Sequence, residues 1–349
     1  MAPIGVAIIG SGIFVKEEHL PAVFKCADLS LKAIFSRSLS SAQKTAELVP
    51  EGQPKPQLYA ADAGSGREYQ DLLSQQDIQA VIIALPILTQ PEYIKAALAA
   101  GKHVLAEKPI AADVAGARDL IDYYTKVAPE KNVTLSIAEN VRFKPALSYA
   151  SEQARKLGRA THFSIRVFSH MKTDSMWYNT EWRKTPGYQG GFLLDGGVHH
   201  AASSRLFLSG EANRPDSVRA FTDLVQSHLP PIDTVNAIIQ TKSGASGTFQ
   251  QSAGTHLQAY EWRFAYEKGT VELVGDTVIV APVNGEKITK EFARTSGVSE
   301  EVAAWAQSLI EGKQNSLQSP EEALADLEFM ENMFRSGEEK GSEKQYKFQ

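Results

Sequence analysis

Cysteine is almost missing from this 349-residue chain, Cys26 standing alone. A single thiol forms no internal disulfide, and it excludes both a disulfide-stapled fold and a cysteine zinc cluster. Positive charge is also in short supply. Lys and Arg number 36 against 41 Asp and Glu, a formal net charge of −5, so the basic footprint of a nucleic-acid binder is absent. No apolar run approaches the roughly 18 residues that span a bilayer. No basic leader precedes the first apolar segment at Ile4, which argues against a signal peptide. With 43% hydrophobic and 22% charged residues, what remains is an ordinary globular composition, long enough for about two domains. The expectation is a cytoplasmic protein that deals with small molecules, not with nucleic acid or membrane.

The first third alternates short β-branched runs with helix-period segments. Strands are expected at residues 4–9, 31–35, 80–85, 103–106 and 133–137, with a shorter one at 57–60. Helices are expected from about residue 19, then at 40–48, 93–100 and 114–127. Strand–helix alternation at this spacing means βαβ units and a doubly wound, mostly parallel sheet. Beyond residue 160 the pattern becomes runs of strands: 161–169, 217–224, 234–240, 245–252, 262–266, 270–273 and 278–281. Turn signals such as Lys242-Ser243-Gly244 and Asn284-Gly285 separate many of them. Such runs indicate an α+β domain with a large, open, mostly antiparallel sheet. Helices at 191–208, 299–311 and 319–333 complete the chain. The expected division is a Rossmann domain at 1–140, a substrate and oligomerisation domain at 141–336, and a polar, fraying tail at 337–349.

The segment Gly10-Ser11-Gly12-Ile13-Phe14-Val15 directly follows the first strand, where a dinucleotide fingerprint belongs. The first glycine makes the tight turn and the second lets backbone approach a pyrophosphate. Val15 occupies the third position, normally glycine or alanine; taken alone, a Gly pair after a strand is often a simple turn. At the end of the second strand, Phe35-Ser36-Arg37-Ser38 contains no acid. An acid there would take the ribose hydroxyls, whereas Ser36 and Arg37 suit the 2′-phosphate of NADP. The alternative for Arg37 is a solvated side chain in a β–α turn.

Two further segments carry candidate chemistry. In Gly101-Lys102-His103-Val104-Leu105-Ala106-Glu107-Lys108-Pro109, Glu107 and Lys108 fall at the carboxyl end of a strand, where the ligand crevice of a doubly wound sheet lies. A lysine there offsets negative charge developing on a substrate oxygen; a surface lysine is the alternative. In Gly190-Gly191-Phe192-Leu193-Leu194-Asp195-Gly196-Gly197-Val198-His199-His200, a helix places Asp195 and His199 one turn apart on the same face. A carboxylate so placed orients and charges a histidine acting as general acid or base. The glycines between them disfavour an isolated helix by about 1 kcal/mol each, and close approach of a ligand is one reason to keep them. Metal ligation by Asp195, His199 and His200 is the rival reading, but the spacing supplies no further ligand. Trp177, Tyr178, Trp182 and Arg183 form an aromatic and cationic cluster suited to a polyol, equally suited to anchoring a loop. Tyr188 and His256 are weaker candidates.

In this order and spacing, the Gly-x-Gly loop, Glu107-Lys108-Pro109 and Asp195-x-x-x-His199 resemble the glucose–fructose oxidoreductase, inositol dehydrogenase and rhizopine-catabolism family. The likeness covers nearly the whole chain. It implies an oxidoreductase acting on a sugar, a sugar derivative or another small carbonyl compound, with Lys108, Asp195 and His199 as its catalytic set. It implies that the lysine–proline bond is often cis and that the open sheet often mediates homo-oligomers. It places Pro86 and Gln90 on the cofactor side, Gln90 standing where a histidine is usual, and Asn140 near the nicotinamide. Ala202 stands where the family often has a second aspartate. A non-catalytic NADP-sensing regulator on the same fold is the alternative; a pure sensor has no chemical need for all three catalytic groups.

Overall fold

The computed structural model describes residues 2–349. They form two compact units, residues 2–140 with 296–323, and residues 141–295 with 324–349.

The first unit is built on β-branched runs that bury both faces. β1 (Ile4–Ile9) leads through a π-helical turn (Val15–His19) into α1 (Leu20–Lys25); β2 (Leu29–Ser36), α2 (Leu39–Ala46), β3 (Gln57–Ala60) and α3 (Tyr69–Leu73) follow. Then come β4 (Ala80–Ile83), α4 (Gln90–Ala99), β5 (His103–Glu107), α5 (Val114–Lys131) and β6 (Leu135–Ala138). The strands are all parallel, in the order β3-β2-β1-β4-β5-β6. This is the doubly wound Rossmann order, whose switch point lies between β1 and β4. Val6, Ile8, Ile34 and Ile82 are fully buried, as expected of strands covered on both faces.

In the second unit, α6 (Pro145–Lys156), β7 (Ala160–His170), the short α7 (Glu181–Lys184) and α8 (Gly191–Phe207) precede the main run of strands. That run is β8 (Pro215–Asp223), β9 (Thr234–Thr241), β10 (Ser246–Ser252), β11 (Gly254–Tyr266), β12 (Gly269–Val274), β13 (Thr277–Pro282) and β14 (Ile288–Glu291). With β7 and a final β15 (Lys344–Gln345) they make a nine-stranded sheet, antiparallel except for the β7–β10 pair. α8 supplies much of the core. Its Phe207 stacks on Phe264, which stacks on Phe163, at centroid distances of 4.8 and 5.3 Å. Trp262 donates its indole N–H to Ser204 at 3.0 Å. The other face of β8 and β9 stays open, with Phe221 and Ile238 exposed.

Several features depart from expectation, among them the short α3, α7 and β14, which the sequence reading did not include. Residues 296–323 belong with the first unit, because α9 (Val298–Glu311) buries Val298, Val302 and Trp305 in the core that contains Val6 and Ile8. α10 (Pro320–Glu338) begins in that unit and continues in the second. The tail does not fray. β15 (Lys344–Gln345) pairs with β8, the Tyr346 ring stacks on Phe329, and Glu328 accepts the backbone N–H groups of Lys347 and Phe348. A polar composition concealed these satisfied backbone groups. Finally, α6 has no counterpart among the expected helices; its buried side is carried mostly by Ala146, Ala150, Ser151 and Ala154, too small to register as an apolar stripe.

Candidate active site

The Gly-x-Gly turn closes β1 at the switch point. Gly10 has φ +130°, and a Cβ there would lie 2.3 Å from the Ala84 carbonyl oxygen beyond β4. Its glycine is therefore demanded by the neighbouring strand. Gly12 differs, since a Cβ there would meet nothing within 4 Å. The space over it is open, and the adjacent Ser11 hydroxyl is buried without a hydrogen-bond partner. An open cradle and an orphaned hydroxyl fit a dinucleotide pyrophosphate held by Gly10, Gly12, Ile13 and Phe14. Val15, where a small residue is usual, is fully buried among Val6, Ile8 and Leu20.

At the β2 end, Ser36 is buried and Arg37 exposed. Ser38 caps α2, its hydroxyl accepting from Ser41 N. Sequence reading missed Asp62: its carboxylate accepts the Leu39 N–H at 2.7 Å, which brings an acid from beyond β3 to the start of α2. The only sequence signal was an Asp in a loop after a short strand.

Pro86 is partly exposed beyond β4. Gln90, expected at the cofactor, is fully buried; its amide donates to the Glu107 carbonyl at 2.8 Å and reaches the Pro109 carbonyl at 3.5 Å. The Glu107 carboxylate meets His19 Nε2 at 2.7 Å. Lys108 is half-buried, and the Lys108–Pro109 peptide is cis. The Asn140 amide, expected near the nicotinamide, donates to the Ser296 carbonyl at 2.5 Å.

In the second unit, Asp195 and His199 both lie on α8, as the spacing predicts. Asp195 is buried and accepts from Arg183 Nε at 2.8 Å. The Arg183 guanidinium in turn lies over the Trp182 ring, 4.2 Å from its centroid. Arg183, expected to touch substrate, thus holds Asp195. Burial, reinforced by the Asp195 charge and opposed by Arg183, pushes the Tyr188 phenol above the usual tyrosine range. His199 is half-buried, whereas His200 turns toward Tyr260 and Trp262. Of the two glycines between Asp195 and His199, Gly197 is explained by packing, since a Cβ would strike Met330 at 2.7 Å. Over Gly196 the space is open. Ala202 is fully buried.

The aromatic cluster divides. Trp177 is exposed, while Tyr178 is buried with Leu229 and Ala253 and meets His228 edge-on. His256 is exposed and lies against His170, the two rings tilted with their centroids 4.4 Å apart. Among the described residues, no three His, Cys, Asp or Glu side chains are placed to hold a metal ion. No helix among them is long and apolar enough to cross a membrane.

A doubly wound sheet with a glycine cradle, followed by a large mixed sheet carrying an Asp–His pair on its packed helix, defines a two-part oxidoreductase architecture. Comparison with known proteins agrees. Residues 4–138 match the model described as the oxidoreductase family with an NAD-binding Rossmann fold, and residues 152–272 match the Gfo/Idh/MocA C-terminal domain. The chain belongs to the Gfo/Idh/MocA oxidoreductase family. Dehydrogenase FPY6 of Fusarium mangiferae is 37% identical, over 99% of this chain and 100% of its own. An oxidoreductase structure from Thermotoga maritima superposes with a TM-score of 0.85 at 29% identity, covering 98% of both chains. A 3-ketoreductase from Actinomadura kijaniata, in complex with NADP and TDP-benzene, shares the fold with a TM-score of 0.77 at 22% identity, over 96% of this chain and 98% of its own.

Proposed function

We propose that this protein is a cytoplasmic NADP(H)-dependent oxidoreductase acting on the carbonyl or alcohol carbon of a sugar, a sugar derivative or another small carbonyl compound. The observation that carries the reading is the Arg183–Asp195 pair one helical turn before His199, in a chain that also retains Lys108 at the carboxyl end of a Rossmann strand. A bound nicotinamide supplies or accepts the hydride. Gly10, Gly12, Ile13 and Phe14 hold the pyrophosphate, and Ser36 and Arg37 face the 2′-phosphate. Pro86, Glu107 and Asn140 complete the cofactor side; for Gln90 the buried amide supports a role in holding the Glu107–Pro109 backbone.

In the reductive direction, Lys108 stabilises charge developing on the substrate oxygen and His199 delivers the proton. Asp195, fixed by Arg183, orients the imidazole. Trp177 and Trp182 offer aromatic faces to a polyol, and Tyr188 presents a hydroxyl that is buried without a partner. A second copy of this chain covers the open face of β8 and β9, where Phe221 and Ile238 are exposed.

The test is coenzyme oxidation across aldoses, ketoses, dicarbonyls and simple aldehydes, with NADPH and NADH in parallel. Turnover on one class, lost in His199→Ala by about 10²–10⁴-fold while coenzyme binding persists, is the expected result. Tight binding without turnover on any class would instead indicate a coenzyme sensor.

A further inference from the structure

His19 is the one fully buried titratable side chain in the first unit's dinucleotide segment, and the mechanism above does not use it. It ends the π-helical turn Val15–His19 that follows the glycine loop. Wide turns of this kind are rare within helices and recur at functional sites. Here the turn directs an imidazole inward. The ring meets Phe14, a residue of the loop itself, edge-on at a centroid distance of 5.3 Å. Its Nε2 lies 2.7 Å from Glu107 Oε1, across 88 residues of sequence. Glu107 is the last residue of β5 and directly precedes Lys108. On the other side, fully buried Gln90 donates to the Glu107 and Pro109 carbonyls. The turn carrying Lys108 is thus tied by its side chain to the dinucleotide loop and by its backbone to α4.

We propose that His19 is a positioning residue for Lys108, acting through the Glu107 carboxylate so that the dinucleotide loop and the lysine move together. The inference rests on the reading of Lys108 given above and adds the coupling between the two motifs. Coenzyme that orders Phe14 also orders the His19 ring that meets it edge-on, hence Glu107 and its neighbour Lys108. A charge-assisted hydrogen bond suits this task because it is directional and strong when buried. Misplacing a reacting group by about 1 Å costs roughly 10²-fold in rate, so the link acts on turnover more than on coenzyme affinity.

The experiment compares wild type with His19→Phe, which fills the site without a donor, and His19→Gln, whose amide restores one. Acylation of Lys108 by an amine-reactive reagent, with and without NADPH, is read by peptide mass spectrometry, beside NADPH affinity, melting temperature and kcat against KM. The expected result is protection of Lys108 by NADPH in wild type and in His19→Gln. In His19→Phe that protection falls about tenfold and kcat falls by tenfold or more, with KM and NADPH affinity changed less than about threefold. Protection and kcat at wild-type levels in His19→Phe would overturn the proposal, as would equal defects in the Gln and Phe variants. If wild-type Lys108 gains no protection from NADPH, the reading of Lys108 falls and the proposal with it. Should His19→Phe fail to fold, Glu107→Gln answers by the same labelling: lost protection supports the link, and retained protection overturns it.

Discussion

Arg183 shows how a single side chain changes its part between sequence and fold. Beside Trp182 it reads as a substrate contact; in the structure its guanidinium is spent on Asp195, with side-chain exposures of 15% and 8% for the pair. Removing one partner of a largely buried ion pair leaves the other charge uncompensated. Arg183→Met is therefore expected to cost about 3 kcal/mol, seen as a lower urea midpoint, and to reduce turnover by misplacing Asp195. An unchanged midpoint would show that Asp195 does not depend on it. Asp62 bears on coenzyme choice. Its carboxylate accepts the Leu39 N–H at the start of α2, two residues after Arg37 in the chain; under the function proposed above, it would repel a 2′-phosphate held by Arg37. Asp62→Asn is expected to raise NADPH affinity relative to NADH by about fivefold, the worth of one solvent-screened charge contact near 1 kcal/mol. Fluorescence titration of both coenzymes decides this, and an unaltered ratio would remove Asp62 from the ribose site.

Among the elements, the glycine loop separates two kinds of requirement. Gly10→Ala places a methyl group 2.3 Å from a backbone oxygen at a positive φ, and strain of about 1–3 kcal/mol or more is expected to lower the melting temperature with or without coenzyme. Gly12→Ala meets no protein atom. It is expected to melt within about 0.5 kcal/mol of wild type yet bind NADPH more weakly; unchanged affinity would mean that no pyrophosphate approaches there. The carboxyl-terminal strand makes a comparable case. Next to it, Tyr346 is half-buried against Phe329, and its burial, reinforced by the Glu328 charge, raises the phenol well above its usual range. Deleting residues 344–349 removes a half-buried aromatic ring, a loss of about 2 kcal/mol of packing, and leaves Glu328 without the backbone donors of Lys347 and Phe348. A denaturant midpoint equal to that of the full chain would refute this account. The turn signals and βα alternation made the strands legible, but nothing in the polar run 337–349 advertised its docking.

For the whole molecule, phenols raised by burial bear on stability at high pH. Burial raises Tyr69, Tyr188, Tyr266 and Tyr346 above the ordinary tyrosine value of 10.0. Each folded-state value lies above the unfolded one, so each contributes stability that is complete below pH 10 and is lost as pH climbs toward the folded value. Above pH 10 each costs about 1.4 kcal/mol per pH unit. Tyrosinate absorbance from these four is expected to appear only together with the loss of circular dichroism. Ionisation near pH 10 in the still-folded protein would contradict their enclosure.

The two sheets, the glycine cradle and the Asp195–His199 spacing could be read from the chain alone because each depends on neighbours within a few residues: alternation along a strand, a turn signal, one turn of helix. The third-position Val15, at odds with the usual pattern, was equally visible, though its place in the core was not. Only tertiary structure joined Leu39 to Asp62 and His19 to Glu107, turned Gln90 inward, returned α9 to the first unit and gave Gly197 its packing reason. These are relations between segments far apart along the chain. They are decided by which faces are left to bury and which buried polar atoms still need partners, and no local window of sequence contains both halves of such a contact.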